Sequence, residues 1–276
     1  MFRQRLSIQK SRSYVLIVLL ALVIVFMLML SKCTHPMHKG FSVVNKMEKS
    51  GGDTIDVAIE ISPLSYRMSG DSIAGLDYEI LRHISAMMQR PVKFHPFASL
   101  QKASLGLELG YYDIVVSSLP STESLKRRFR LSEPVYIDFE VLVQNPAKYD
   151  IITSQQELAG DTIWIAGGSP FAERIVNLSS EIGEGIYIES VDGHTSEHLV
   201  MLVARGEIPR AVVNVGLATR MKKEFYPDLD ISVPIGLNRF QCWIVSEKED
   251  GFADKIDSEI VRFKDSDTYR RLLQRY

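Results

Sequence analysis

Cysteine is almost absent: of 276 residues only Cys33 and Cys242 carry a thiol. That excludes a disulfide framework and leaves no cysteine spacing for a zinc site. Cys242 lies in an apolar stretch and reads as a small core residue. The chain also lacks a phosphate-cradling P-loop, a dinucleotide-type G-x-G-x-x-G and the nucleophile elbow G-x-S-x-G. Long hydrophobic runs are missing too, with one exception. Residues 14–30 are apolar throughout, and ahead of them stand Arg3, Arg5, Lys10 and Arg12 with no acid. A basic flank before an apolar run marks a secretory signal or a membrane anchor.

Positive charge is scarce beyond that segment. Setting aside Arg3, Arg5, Lys10, Arg12 and Lys32 leaves 27 cations against 34 acids. A nucleic-acid partner is excluded on that balance, because it requires a concentrated basic surface. The short cluster Lys126-Arg127-Arg128 with Arg130 reads as a solvated helix face. Residues 1–33 are therefore an anchor or signal segment. Three fates stay open: a retained anchor, simple cleavage, or lipid attachment at Cys33. Polar residues 34–53, with Gly51-Gly52, read as a flexible tether.

From residue 54 the chain alternates strands and helices. Thr54-Ile55-Asp56-Val57-Ala58-Ile59 is a strand, followed by the loop Ser62-Pro63-Leu64-Ser65-Tyr66. Leu76, Ile80, Ile84 and Met87 recur at helical spacing and predict a helix over 76–89, ended by Pro91. A short strand over 92–94, a helix over 100–109 capped by Gly110, and a buried strand over 113–118 complete one set. The second half repeats it: a strand over 162–166, the loop Gly167-Gly168-Ser169-Pro170, a helix near 171–181, a strand over 186–189, a helix over 196–204 with Gly206 after it, and a strand over 211–214. Residues 253–276 are helical and pack back on the first half.

Such alternation predicts an α/β protein of two lobes, each a mostly parallel sheet flanked by helices. Lobe one is expected over 54–142 plus 241–276, and lobe two over 143–240. The stretches 135–144 and 231–245 are the expected two-strand hinge. Ligands of open α/β sheets bind beyond the carboxyl ends of the strands. That rule selects Tyr66, Ser117, Ser118 and Thr122 in lobe one, and Ser169, Phe171 and Asn214 in lobe two; Asp77 and Thr195, at helix starts, join them as candidates. Each has a plainer role beside it. Tyr66 either stacks on a ligand or packs. Asp77 faces the cleft or simply occupies a helix's first turn. Ser117 and Ser118 offer hydroxyls or small volume. Thr122 and Thr195 cap helices. Ser169 with Pro170 reads as an N-cap followed by proline at the first helical position. His194-Thr195-Ser196-Glu197-His198 fits the pattern H-x-x-E-H, but a cap at Thr195 or Ser196 leaves His194 outside the helix, so no metal is expected. No cofactor is expected either.

The layout resembles the bacterial extracellular solute-binding proteins of the polar amino-acid type. Ile61-Ser62-Pro63-Leu64-Ser65-Tyr66, Gly75-Leu76-Asp77-Tyr78-Glu79-Ile80, Leu109-Gly110-Tyr111-Tyr112-Asp113-Ile114-Val115 and Leu131-Ser132-Glu133-Pro134-Val135-Tyr136 carry the likeness. Gly168-Ser169-Pro170-Phe171-Ala172-Glu173-Arg174 and Thr195-Ser196-Glu197-His198-Leu199 are similar to the binding domain of the membrane-bound lytic murein transglycosylases of type F, without a catalytic domain after it. The resemblance implies a periplasmic-binding-protein fold of type II, not an enzyme, in the periplasm at a bacterial membrane. The partners it implies are a small polar ligand and either an ABC permease or a cell-wall enzyme. It also implies an arginine for a ligand carboxylate and an aspartate for an amine. Those positions hold Leu125 and Asn214. The free amino-acid grip is thus expected to be lost, leaving a peptide, an amino-acid derivative or a cell-wall fragment as ligand. The alternatives are a degenerate fold that contacts a protein partner and regulates cell-wall metabolism, and an enzyme using acids of the cleft.

Overall fold

The computed structural model describes residues 49–70 and 72–276, all within the compact unit Lys46–Tyr276. The apolar run 14–30, Cys33 and most of the expected tether lie outside the described residues. Among the described residues, no helix is long and apolar enough to cross a membrane.

The chain runs β1 (Ile55–Glu60), β2 (Arg67–Ser69), β3 (Ser72–Ala74), α1 (Leu76–Met88), β4 (Val92–Phe97), α2 (Leu100–Leu109), β5 (Ile114–Pro120), α3 (Glu123–Arg128), β6 (Tyr136–Asp138) and β7 (Glu140–Gln144). It continues with β8 (Thr162–Ala166), α4 (Phe171–Ile182), β9 (Tyr187–Val191), α5 (Ser196–Arg205), β10 (Arg210–Asn214), α6 (Val215–Glu224), β11 (Arg239–Val245), α7 (Phe252–Lys264) and α8 (Asp267–Arg275). Two sheets result. One has the order β4-β1-β5-β11-β6 and the other β7-β10-β8-β9.

Each sheet has three parallel strands, as βαβ crossovers require. Three of the five strands in one sheet and three of the four in the other are thus parallel, as expected, and the remaining strands make both sheets mixed. β11 runs antiparallel to β5 and β6, and β7 antiparallel to β10. In these two sheets the reversed pairings all involve β6, β7 and β11, the strands at the crossings. A chain that leaves one sheet for the other and returns must enter with the opposite sense.

Strand alternation divides the core into layers, because successive side chains point to opposite faces. Ile114 and Val116 of β5 join Ile80, Ile84, Ile256 and Phe263 on one face, while Val115 joins Ala103 and Leu107 on the other. In β10, Ala211 and Val213 pack with Leu199 and Val203, whereas Val212 packs with Ile175 and Leu178. Both sheets are therefore covered on both sides. Helices α7 and α8 pack on the first sheet, as expected. Gly110 and Gly206 close α2 and α5 in the left-handed conformation, φ 87° and 76°. There glycine avoids the Cβ penalty and frees the chain to turn.

Sheet membership changes across Phe139, between β6 and β7, and again before Arg239. At the second, a Cβ added to Gly236 would sit 1.7 Å from Glu140 Oε2, so a side chain there would have to displace the Glu140 carboxylate. The chain is also tied down earlier than the tether reading expects. Lys49 pairs with Asp113 at 2.9 Å, and Ser50 donates to Asp56 from both its amide and its hydroxyl.

Candidate functional site

The carboxyl ends of β1 and β5 in one sheet meet those of β8 and β10 in the other. Glu60, Ser117, Ser118, Ser169, Thr195 and Asn214 line the cavity between them, with the aromatic rings of Phe97 and Phe171. Its volume is about 30 Å³. One enclosed water needs ~10–15 Å³, so this space takes about two.

Side chains from both lobes cross the gap. Asn214 Nδ2 donates to the Ser118 carbonyl at 2.9 Å, and Ser124 Oγ donates to Glu173 Oε2 at 2.6 Å. Arg67 pairs with Glu224 at 2.5 Å at the rim. Inside, the Ser117 hydroxyl donates to Glu60, and the Ser118 hydroxyl and the Tyr136 hydroxyl share a hydrogen bond of 2.8 Å.

Glu60 is the group that residue-level reading missed. It ends β1, just before the loop that was selected. Its carboxyl is pushed up to about 7, chiefly by burial. The Ser117 hydroxyl opposes that shift, the charges of Asp77 and Glu197 add to it, and the Ser196 amide again opposes it. The carboxyl-end rule, applied to the last residue of the strand as well as to the loop after it, would have found Glu60. His194 also lines the cavity and was absent from the expected set.

Of the expected residues, Ser117, Ser118, Ser169, Phe171, Thr195 and Asn214 are brought together. Tyr66, Asp77 and Thr122 are not. Tyr66 is buried against Tyr78 and Phe94, with ring centres 5.6 and 5.9 Å away. Asp77 points into the core, where Trp243 Nε1 donates to it at 3.0 Å. A fully buried indole needs an acceptor, and this carboxylate supplies it. Burial pushes Asp77 up to about 6, against the hydrogen bonds it accepts. Thr122 caps α3, its oxygen accepting from the Leu125 amide. Leu125 itself packs against the core beside Leu107 and Ile244.

The expected cap at Ser169 is corrected. Helix α4 begins at Phe171, with Pro170 at the N-cap and no side-chain cap. Ser169 lies one residue too early to reach the helix amides, and its hydroxyl is buried with no partner among the described residues. Thr195 does cap α5, reciprocally with His198. His194 therefore precedes the helix, so the two histidines do not share a helix face. Cys242 is buried in the core, and its thiol is pushed up to about 11 by burial.

Comparison with known proteins agrees with this architecture. The family described as bacterial extracellular solute-binding proteins, family 3, matches residues 54–276. The membrane-bound lytic murein transglycosylase F of Shewanella pealeana is 25% identical over 218 residues, 78% of this chain and 44% of that protein. The protein of the same name from Pseudomonas fluorescens is 24% identical over 240 residues, 85% of this chain and 48% of its own length. The chain thus spans less than half the length of these curated relatives. Among solved structures, an ancestral arginine-binding protein bound to glutamine superposes with a TM-score of 0.70 at 17% identity, covering 82% of this chain and 99% of that one. The substrate-binding protein of an amino acid ABC transporter gives 0.68 at 18% identity, covering 81% and 98%.

Proposed function

This chain belongs to the bacterial extracellular solute-binding proteins, family 3, and on that premise we propose that it is a binding or sensing module, not an enzyme, which closes two lobes on a small polar ligand. Lobe one in this reading is the first sheet with α1–α3, α7 and α8; lobe two is the second sheet with α4–α6. The observation that carries the reading is the cleft itself. Polar side chains from the carboxyl ends of strands in both sheets converge on one cavity, where ligands of such sheets bind.

The grip on a free amino acid is altered. Leu125 is spent on core packing, and Asn214 offers an amide in place of a charge. The module is held at the membrane by residues 1–33, in the periplasm, and works with an ABC permease or a cell-wall enzyme. Its site residues are Ser117, Ser118, Ser169, Phe171, Thr195 and Asn214, with Glu60 added.

Thermal shift of the full chain against free amino acids, dipeptides and muropeptides tests the proposal. A ligand at a hundredfold excess over its Kd stabilises the fold by about 2.7 kcal/mol. No shift with any of them sinks the ligand-binding reading, and turnover of a muropeptide sinks the non-enzyme reading. A second reading, a degenerate fold that contacts a protein partner, is favoured by the narrow cavity and the direct Asn214–Ser118 bond across it. It gains if a cell-wall enzyme co-purifies with the chain while small molecules leave the melting temperature unchanged.

A further inference from the structure

The two crossings bury polar atoms that the described arrangement leaves without partners. Glu140 opens β7 at the first crossing and is 1% exposed. Neither of its carboxylate oxygens has a hydrogen-bond partner among the described residues. Gln241, on β11 just past the return crossing, is equally buried, and its Oε1 is unpartnered too. A buried carboxyl costs free energy unless it is paired or hydrogen-bonded. Burial pushes the Glu140 carboxyl up, against its own amide and the charges of Arg239 and Arg174. The cleft does not account for this acid, because Glu140 is not among the residues that line the cavity.

Two guanidinium groups stand near Glu140, and neither reaches it. Arg174 of α4 is occupied: it donates to the Ile235 carbonyl at 2.7 Å and pairs with Glu181 at 2.6 Å. Arg239, the first residue of β11, makes no side-chain hydrogen bond or ion pair among the described residues. Its charge acts on Glu140 from beyond ion-pair distance. The two residues belong to different sheets. Arg239 lies opposite Asp138 in the first, and Glu140 opposite Asn214 in the second. The gap between them is therefore set where the chain passes from one sheet to the other. The return segment also covers the acid. The Ile235 and Gly236 amides donate to the Glu140 carbonyl at 2.7 and 3.2 Å, and the Gly236 backbone lies against the carboxylate with no room for a Cβ.

Resting on the lobe closure read above, we propose that Glu140 and Arg239 form a hinge latch, an ion pair broken in the closed arrangement described and made when the lobes swing apart and residues 235–237 lift off the carboxylate. A guanidinium and a carboxylate suit each other, because two parallel hydrogen bonds can form between them. The closed arrangement is held at the other end of the lever, by contacts from Asn214 to Ser118, Ser124 to Glu173 and Arg67 to Glu224. The hinge pair and the cleft contacts cannot be satisfied together, so the hinge has two preferred angles and not a continuum. A ligand in the cleft then tips the balance by its differential affinity for the closed form. Gly236 acts as the cover, lying on the acid only while the lobes are closed.

The test is pulsed electron–electron resonance on the full chain, with spin labels on Leu109→Cys in lobe one and Val176→Cys in lobe two, both exposed positions, in a Cys33→Ser background. Cys242 is buried and stays unlabelled. With the native hinge, two distances are expected, one of them that of the closed arrangement. Glu140→Gln and Arg239→Ala should each shift the ratio toward the closed distance by about tenfold, the equivalent of about 1.4 kcal/mol. Arg239→Ala added to Glu140→Gln should change nothing further, because the pair is already gone. Arg239→Lys should retain part of the open population, and Gly236→Ala should move the ratio the opposite way. A purely structural role for Glu140 would change the melting temperature and leave the ratio alone. Distances that respond to ligand but not to Glu140→Gln or Arg239→Ala, or that move toward the open value in Glu140→Gln, overturn the latch and leave lobe closure intact. One distance, the same for every variant and for every amino acid, dipeptide and muropeptide added, overturns both.

Discussion

Lobe one and lobe two meet at the cleft with different chemistry. Lobe one buries ionisable groups: Asp56 against His95 at 2.7 Å, Asp77 against Trp243, and Glu60 at the interlobe surface. Lobe two brings the capped start of α5, the uncapped start of α4 and the neutral amide of Asn214. Its core clusters are aliphatic apart from Phe171 and a few rings packed at their edges. The contrast shows which half carries the electrostatic cost of the site. Burying a carboxylate disfavours its charged form; at the cavity that penalty falls chiefly on Glu60 of lobe one, while lobe two adds helix-start dipoles but also buries Glu140 and partly buries Glu197, both raised by burial.

The sharpest way to break this contrast is Trp243→Ala. It empties one of the largest fully buried side chains and strips Asp77 of its donor. A loss of about 3–5 kcal/mol is expected in urea unfolding. Ile175→Ala in lobe two, with no polar partner to strand, should fall nearer the lower end of the ~2–5 kcal/mol range. Equal losses would show that the buried acid of lobe one adds nothing.

Next in size is the pH dependence. Glu60 and Asp77 have folded pKa values raised to about 7 and about 6, above those of the free side chains. The folded state therefore holds more protons than the unfolded state between roughly pH 4 and 7. By linkage the stability they affect is full below about pH 4 and is lost as pH rises through 6 to 7. Glu60→Gln removes one of these titrations. At pH 8 it should raise stability by on the order of 1–3 kcal/mol, with little change at pH 4, as read from chemical denaturation at the two pH values.

Smaller effects probe lobe two and the rim. Thr195→Ala deletes a reciprocal cap and should cost about 1 kcal/mol in the same assay. Breaking the rim pair with Glu224→Gln should cost no more than ~1 kcal/mol, and less at high salt, because both partners are partly solvated. A larger loss there would mean that closure depends on the rim rather than on the cavity.

Periodicity made the fold legible. Leu76, Ile80 and Ile84 announced α1, Gly110 and Gly206 marked two helix ends, and the repeated order announced two sheets. The antiparallel strands were not legible, because strand direction depends on where the chain crosses and leaves no local pattern. The site was read in part. Ser117, Ser118 and Asn214 end buried strands in polar side chains, which is a local signal. Asp77 and Tyr66 carry the same polar signal, yet the indole of Trp243 and the rings of Tyr78 and Phe94 claim them, and those partners are distant in sequence. Ser169 failed by one residue, because proline tolerates both the N-cap and the first helical position.

The crossing at Phe139 has one further consequence. Asp138 ends one sheet and Glu140 begins the other, and Asp138 is pinned by the amides of Phe139 and Gly216. A joint one residue long has no slack to extend, so one half cannot slide past its neighbour. If the halves move as proposed, the motion left to them is a swivel about the line joining the two crossings. Occupancy of the cavity would then leave this protein as a single variable, an angle, available to whatever sits at its far ends.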